Sequence, residues 1–342
     1  MNKKPQKKSE NIHQFILENV EDHPADITIF TAEQFGISRQ AVHRHVTHLV
    51  DAGLLLASGV TRNRTYAPKL LADFSISLPM HGLAEDRVWR THIRPIVENV
   101  PANVVEICQY GFTEMVNNVI DHSEGTKLIV QVKRTYKFIE LLIMDDGIGI
   151  FTKIQNELHL DDALHAILEL SKGKLTTDSI HHTGEGIFFT SRMFDEFAIF
   201  SGKLFFAHMY NKDWLLEDTQ KIYEGTIIRL RINPKSTRTT QQVFDQYTTG
   251  EEHSFSKTNV PVFLATYGDE NLISRSQAKR LLMRFERFKE IILDFSKVDS
   301  IGQAFADEIF RVFCTEHPGT RLTPINASEQ ILKMISRVTS EM

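Results

Sequence analysis

The chain reads as an α+β multidomain protein, and three observations say so. Apolar residues recur with helical spacing up to residue 53 and then give way to a short hairpin pattern. Between about residues 80 and 233, helical stretches are interleaved with β-prone apolar runs. After residue 255, strands and helices alternate at short intervals, the pattern of a small α/β unit. A length of 342 residues suits two or three domains. The expected division is 1–70, 71–233, a polar linker over 234–254, and 255–342.

The first unit begins with a helix over residues 9–19, with Ile12, Phe15, Ile16 and Val20 pointing inward. Asp26-Ile-Thr-Ile-Phe30 reads as a short extended piece because of its β-branched residues. Residues 31–36 form a short helix stopped by Gly36. Ser38 caps a further helix running to Gly53, whose buried stripe is Ala41, Val42, Val46, Leu49 and Val50. Arg39, Gln40, His43, Arg44 and Thr47 fall on its other faces. A hairpin over residues 54–68 follows, with Arg62 and Arg64 at its tip.

A helix, a tight turn, a second helix with polar N-terminal residues and a trailing hairpin make the helix-turn-helix plan. The segment resembles winged helix-turn-helix regulators whose turn reads Gly-Ile-Ser-Arg-Gln-Ala-Val, the sequence at 36–42. The resemblance implies double-stranded DNA as a partner. Ser38, Arg39, Gln40, His43 and Arg44 would then face the major groove, and Arg62 and Arg64 would reach phosphate or the minor groove. A winged helix that packs against protein is the other reading. Residues 1–70 hold nine Lys/Arg against seven Asp/Glu, a net of +2, and the remainder holds thirty against thirty-seven, a net of −7, which sum to −5. So modest a basic balance would require a dimer, or help from Lys3, Lys4, Lys7 and Lys8, to hold DNA.

Three short pieces carry the chemistry of the second unit. In Glu114-Met-Val-Asn-Asn118 the helical stripe of Phe112, Met115, Val116, Val119 and Ile120 leaves Glu114 and Asn118 stacked on one face, four residues apart. A carboxylate there can polarise water, and an Asn carbonyl oxygen is a hard, neutral ligand suited to Mg²⁺. Asp121 and His122 follow in the same helix. The β-prone run 138–144 ends in Asp145-Asp-Gly-Ile-Gly149, where a carboxylate at a strand end can accept from an amine, and Gly147 and Gly149 admit a close ligand. Gly184-Glu-Gly186 opens a helix whose first amides attract phosphate oxygens.

Together the pieces resemble the ATP-binding domain shared by gyrase, heat-shock chaperone ninety, histidine kinases and mismatch-repair ATPases (the GHKL type). Glu114 and Asn118 match its N box, Asp145, Gly147 and Gly149 its G1 box, and Gly184 and Gly186 its G2 box. Thr226, in Tyr-Glu-Gly-Thr, matches the strand whose hydroxyl helps hold adenine. The similarity spans roughly residues 80–233 and implies an α/β two-layer sandwich, with ATP and Mg²⁺ as cofactors. It makes Glu114 the catalytic base, Asn118 the Mg²⁺ ligand, Asp145 the adenine reader, and residues 151–183 a mobile lid with a short helix over 161–170. Asp121 and His122 would order water near the base or the phosphates. Lys172 and Lys174 would either reach phosphate or lie on a solvated lid face. No helix pair carrying a phosphoacceptor histidine fits before the N box, which separates the chain from the histidine-kinase branch.

In the third unit a β-rich stretch over 255–268 precedes a helix over 274–288, a buried strand at 291–295, a helix at 304–314, a strand at 321–326 and a helix at 329–338. The order resembles STAS domains, the anti-sigma-factor-antagonist fold. More closely it resembles an uncharacterised STAS-like family often joined to this kind of ATPase. Where a STAS domain carries its phosphorylatable serine, this sequence has Gly302 or Gln303, so partner-switch phosphorylation is in question. Ser296 and Ser300 are neighbouring hydroxyls that read as caps.

Composition bounds the rest. Apolar content of 42% with 24% charged residues belongs to a soluble globular chain. No apolar run is long enough to span a membrane, and residues 1–5 lack the apolar core of a signal peptide, so a cytoplasmic location is expected. Cys108 and Cys314 stand singly and read as buried thiols. His181 and His182 lack a partner set at metal spacing. The expected function is an ATP-binding, ATP-hydrolysing, DNA-binding transcriptional regulator, with nucleotide state passed to the winged helix through residues 71–100. A homodimer and a protein partner held by the STAS-like domain are compatible with it. Two other readings are a serine/threonine protein kinase of the anti-sigma-factor type and a non-catalytic ATP-dependent scaffold.

Overall fold

The computed structural model describes residues 4–60, 63–175, 184–209, 212–249, 254–266 and 271–340. Its first unit packs α1 (Lys4–Asn19), α2 (Ile27–Phe35) and α3 (Arg39–Asp51) around a core containing Ile16, Val20, Ile27, Val42 and Val46. The hairpin β1 (Leu55–Ser58) and β2 (Thr65–Pro68) closes that core with Leu55 and Tyr66. Gly36, at φ 60°, ends α2, and the Ser38 hydroxyl accepts from Ala41 N at 3.2 Å to start α3. One expectation fails here: residues 26–30 are not extended. The Asp26 carbonyl accepts from Ile29 N and Phe30 N, so α2 starts at Ile27, whose side chain is wholly buried. Tertiary burial outweighs the β-propensity of Ile-Thr-Ile.

The second unit is a five-stranded sheet under helices. Its strands are β3 (Ala72–Pro79), β4 (Lys127–Arg134), β5 (Ile139–Asp145), β6 (Glu196–Met209) and β7 (Lys212–Ile232), in the order β3-β4-β5-β7-β6, antiparallel throughout. α4 (Glu85–Val88), a π-helical turn at Trp89–Ile93 and α5 (Arg94–Val97) lead into α6 (Ala102–His122). α7 (Ile150–Leu158), α8 (Ala163–Lys172) and α9 (Gly186–Met193) follow β5. α6, α7 and α9 cover one face of the sheet. Cys108 is buried in this core, which pushes its thiol up to about 12, whereas Cys314 is half-buried; both are free cysteines.

Residues 234–254 are more than a polar linker. They contain α10 (Thr240–Tyr247), opened by a capping box between Thr239 and Gln242, and then β8 (Thr248–Thr249) and β9 (Ser254–Phe255). Phe244 packs edge-on against Tyr110 and Phe189, which fixes α10 on α6 and α9. The Thr and Gln residues that made the segment look like a linker are its cap.

The third unit is a parallel sheet of β10 (Lys257–Pro261), β11 (Glu290–Asp294) and β12 (Arg321–Ile325) in sequence order. Its helices are α11 (Arg275–Leu282), α12 (Gln303–Asp307), which continues through a π-helical turn into α13 (Cys314–Glu316), and α14 (Glu329–Thr339). The helix expected over 274–288 stops at Leu282. Arg284, at φ 67°, turns the chain back.

That turn joins the second and third units. Lys172 Nζ lies 2.5 Å from Glu169 Oε1 and donates to Met283 O at 2.9 Å and Arg280 O at 3.2 Å. Arg284 Nη1 reaches Glu169 Oε2 at 2.8 Å, and Thr258 Oγ1 donates to Lys172 O at 2.7 Å. Lys172 and Glu169 are 0% and 1% exposed. The expectation that Lys172 reaches phosphate or lies on a solvated face is therefore wrong: Lys172 is spent on the joint between two units. Lys174 also turns to that joint, donating to Arg287 O and lying over the Phe255 and Phe288 rings. The helix expected at 161–170 is α8, capped by Asp162 through Leu164 N at 2.8 Å.

His208, on β6, sets one pH dependence. Burial, and then the neighbouring Arg192 and Arg238, hold its imidazole down to about 3 from an ordinary 6.5. The unfolded chain therefore binds a proton on His208 at a pH where the folded chain does not. The stability this confers is present above about pH 6.5 and is lost progressively as pH falls toward 3. In His208→Gln, melting temperature is expected to fall less than in the unsubstituted chain between about pH 7 and about pH 5. Equal slopes of melting temperature against pH for the two chains would refute the assignment.

Candidate functional site

Four stretches of chain meet around a cavity of about 290 Å³. Glu114, Asn117, Asn118, His122 and Ser123 come from α6 and its end, Asp145 from the end of β5, and Gly149, Ile150, Lys153 and Ile154 from the start of α7. Leu170 and Leu175, then Gly184, Gly186 and Ile187, close one side, and Thr226 and Ile228 of β7 another.

Strand alternation places Asp145. It follows Ile139, Leu141 and Ile143 on the inward face of β5, so its carboxylate arrives at the rim of the core. Asp145 Oδ1 accepts from Gly147 N at 2.9 Å and Thr226 N at 3.2 Å. Thr226 Oγ1 accepts from Ile150 N at 3.0 Å, which ties β7 to the start of α7. Burial pushes the Asp145 carboxyl up, against the pull of the Gly147 and Thr226 amides. Gly147 is required by close approach: a Cβ there would stand 2.0 Å from Ser123 O. Gly149, at φ 84°, would bring a Cβ to 2.4 Å from Ser201 Oγ. Gly147 shapes the loop without lining the cavity.

Glu114 faces the beginning of α9. A Cβ on Gly186 would lie 2.1 Å from Glu114 Oε2, so the carboxylate rests in the space that glycine leaves. Glu185 is close by. Burial pushes its carboxyl up, Lys174 opposes this, and Glu114 adds to it. Tyr110, one turn before Glu114, has its hydroxyl pushed up by burial and then by Glu114 and Glu185. Asn118 Nδ2 is buried with no hydrogen-bond partner among the described residues. A buried amide without a partner in a cavity lined by carboxylate and helix-start N–H groups is an arrangement a polar ligand completes.

The structure brings Glu114, Asn118, His122, Asp145, Gly149, Gly184, Gly186 and Thr226 to this cavity. It does not bring Asp121, which is exposed and outside the lining. His181 and His182 lie outside the described residues. Sequence reasoning missed Lys153, whose ammonium is held by Glu124 at 2.6 Å and Glu157 at 2.9 Å; these bonds raise its pKa. Its place four residues after Gly149, on the face of α7 toward the cavity, was the available signal. Chemically, the cavity offers a buried hydrogen-bond acceptor, Asp145, beside a hydroxyl, Thr226. It also offers the Glu114 carboxylate at the start of α9, with Glu185 near it outside the lining.

The α3 face carries the other predicted residues. Ser38, Arg39, Gln40, His43 and Arg44 are all exposed, and Arg64 is exposed with its guanidinium over the Tyr66 ring. Arg62 lies outside the described residues. The unit rests on the central sheet through Glu21, 3.2 Å from Arg231 Nη2 and 3.6 Å from Lys137 Nζ.

Comparison with known proteins adds one finding. Residues 277–332 match the family model described as the STAS-like domain of unknown function (DUF4325), so the third unit contains a STAS-like domain. A search of curated proteins matches none to this chain. Among the described residues no helix is long and apolar enough to cross a membrane, and no group of three or more His, Cys, Asp or Glu is placed to hold a metal ion.

Proposed function

We propose that the chain is an ATP-binding, ATP-hydrolysing transcriptional regulator whose nucleotide state controls DNA binding or assembly. What carries the reading is the convergence of Glu114, Asn118, Asp145, Gly149, Gly184, Gly186 and Thr226, from segments far apart in sequence, on one cavity. Asp145, fixed by two backbone amides, is suited to accept from the exocyclic amine of adenine, with the Thr226 hydroxyl beside it. The first amides of α9, where Gly184 and Gly186 line the cavity, suit phosphate oxygens. The buried amide of Asn118 fits a Mg²⁺ ligand once its oxygen is turned to the ion. Bound magnesium would neutralise charge on the phosphate oxygens. Glu114, which lines the same cavity, would accept a proton from water.

Coupling has a physical route. Leu170 of α8 lines the cavity, while Glu169 and Lys172 on the same helix are fastened to Arg280, Met283 and Arg284 near the STAS-like domain. The winged helix rests on Lys137 and Arg231, at the end of β5 and β7 away from Asp145. An α8 that shifts around nucleotide would therefore move against the STAS-like domain.

Titration calorimetry with ATP and Mg²⁺ tests the pocket. Saturable binding is expected, weakened about tenfold or more in Asp145→Asn, which cannot accept in the same way at both oxygens. Saturable binding that survives Asp145→Asn unchanged would remove the adenine assignment. For the DNA arm, Arg44→Ala is expected to lower affinity and to flatten the salt dependence by about one counterion. An unchanged salt slope would make α3 a protein-binding helix.

A further inference from the structure

A second cavity, about 800 Å³, lies between the central unit and the STAS-like domain. Its floor is the carboxyl edge of the parallel sheet: Pro261, Asp294 and Ile325 are in register across β10, β11 and β12, and all three line it. The crevice beyond the carboxyl ends of parallel strands is where open α/β sheets hold ligands. This edge is polar. Asp294 Oδ1 accepts from Ser296 N at 2.9 Å, Ser296 Oγ at 2.7 Å and Asn326 Nδ2 at 2.9 Å. Asn259 Oδ1 is buried with no hydrogen-bond partner among the described residues.

The facing wall comes from the central unit and α10. Arg192 donates to Phe188 O at 3.1 Å and Ser191 Oγ at 2.9 Å, and its guanidinium lies over the Phe188 ring. Arg238 donates to Asp195 at 3.0 Å and Met193 O at 2.7 Å. His208 lies on the same wall, held neutral by burial and these two arginines. Asp245 and Gln246 stand exposed at the mouth. The cavity therefore sets two guanidiniums, with the Asp245 carboxylate at the mouth of the same wall, against the Asp294 carboxylate and the amide and hydroxyl oxygens of the sheet edge.

We propose that this cavity is a second ligand site, separate from the one around Asp145, and that it takes a phosphorylated sugar. The phosphate is held on the Arg192 and Arg238 wall, and sugar hydroxyls donate to Asp294 and to the Asn259 amide oxygen at the sheet edge. The cavity is large enough to admit a ligand of that size. Guanidinium forks match phosphate oxygens, and an acceptor-rich floor matches a polyol. A neutral sugar leaves the arginine wall unused, and inorganic phosphate leaves the floor unused. Because the two walls belong to different domains, the occupant bridges them.

Calorimetry on the full chain tests the site with ribose 5-phosphate, ribose and inorganic phosphate as probes. Ribose 5-phosphate is expected to bind saturably, about tenfold or more tightly than either fragment. Arg192→Gln is expected to weaken it about tenfold or more. Arg192 is packed among aromatic rings, so a second variant guards against misfolding: Gln246→Trp, which narrows the mouth from an exposed position. It is expected to weaken binding by a similar factor with an unchanged melting temperature. Asp145→Asn, in the other cavity, is expected to leave ribose 5-phosphate binding as it was. Absence of saturable heat with ribose 5-phosphate, equal affinity for ribose, or undiminished affinity in Gln246→Trp would each overturn the proposal.

Discussion

Replacing Glu169 with alanine is expected to destabilise the folded chain by about 3–5 kcal/mol. Glu169 is the carboxylate that serves both Lys172 and Arg284, and the three groups are 1%, 0% and 9% exposed. The carbonyls of Met283 and Arg280 help solvate the Lys172 ammonium, and those of Gly173 and Lys174 help solvate Arg284. Carbonyl dipoles do not cancel charge, however, so alanine leaves two buried cations facing each other. Burial already pushes the Lys172 ammonium down, and Glu169 is the main group opposing it. Without Glu169 the lysine deprotonates or the joint opens. Glu124→Ala is the control. Glu124 also pairs with a lysine, Lys153, but it is more than half exposed, and the loss is expected to stay within about 1 kcal/mol. Urea unfolding of both variants decides the matter: similar midpoints for the two would mean that the buried triad contributes no more than a surface pair. Since Leu170 lines the cavity around Asp145 one residue from Glu169, the same variant is also expected to weaken ligand affinity there.

How much of this was legible depended on the range of the interaction. The cap at Ser38, the stop at Gly36, the strand ending at Asp145 and the alternation of the C-terminal unit are local patterns, and each falls where the sequence places it within a few residues. The pairing of Glu169 with Arg284, and of the Lys172 ammonium with the Arg280 and Met283 carbonyls, joins residues more than a hundred positions apart, and nothing in Leu-Glu-Leu-Ser-Lys announces it. The resemblance puts Lys172 in the lid, and lysine is ordinarily solvated, so neither points to its burial at the joint. The start of α2 was missed because Ile27 and Ile29 carry β-propensity that only the burial of Ile27 overrides. α10 was missed because capping residues and linker residues are the same residue types. Of the residues that the motif spacing picks out, Glu114, Asp145, Gly149, Gly184 and Gly186 line the cavity and Gly147 does not. The spacing placed Asp121 there too, although the helix carries that side chain to the exposed side. The cavity at the sheet edge could not be read at all, because its two walls come from different domains.

Glu114→Gln is expected to lower ATP turnover about 10²–10⁴-fold while leaving ATP affinity within about threefold. Glutamine keeps the shape that rests against Gly186, so the cavity wall is preserved. What is lost is the ability to take a proton from the attacking water, which a neutral amide cannot do. Single-turnover phosphate release, measured beside nucleotide affinity, separates the two effects. If release in Glu114→Gln matches that of the unsubstituted chain, another group is the base, and Glu185 is the one to substitute next. Burial pushes its carboxyl up, Lys174 opposes this and Glu114 adds to it. If the unsubstituted chain binds ATP tightly and releases no phosphate, the cavity acts as a binding switch. The joint at Glu169 then becomes the place to look for its output, because a helix that lines the cavity is held there against the STAS-like domain.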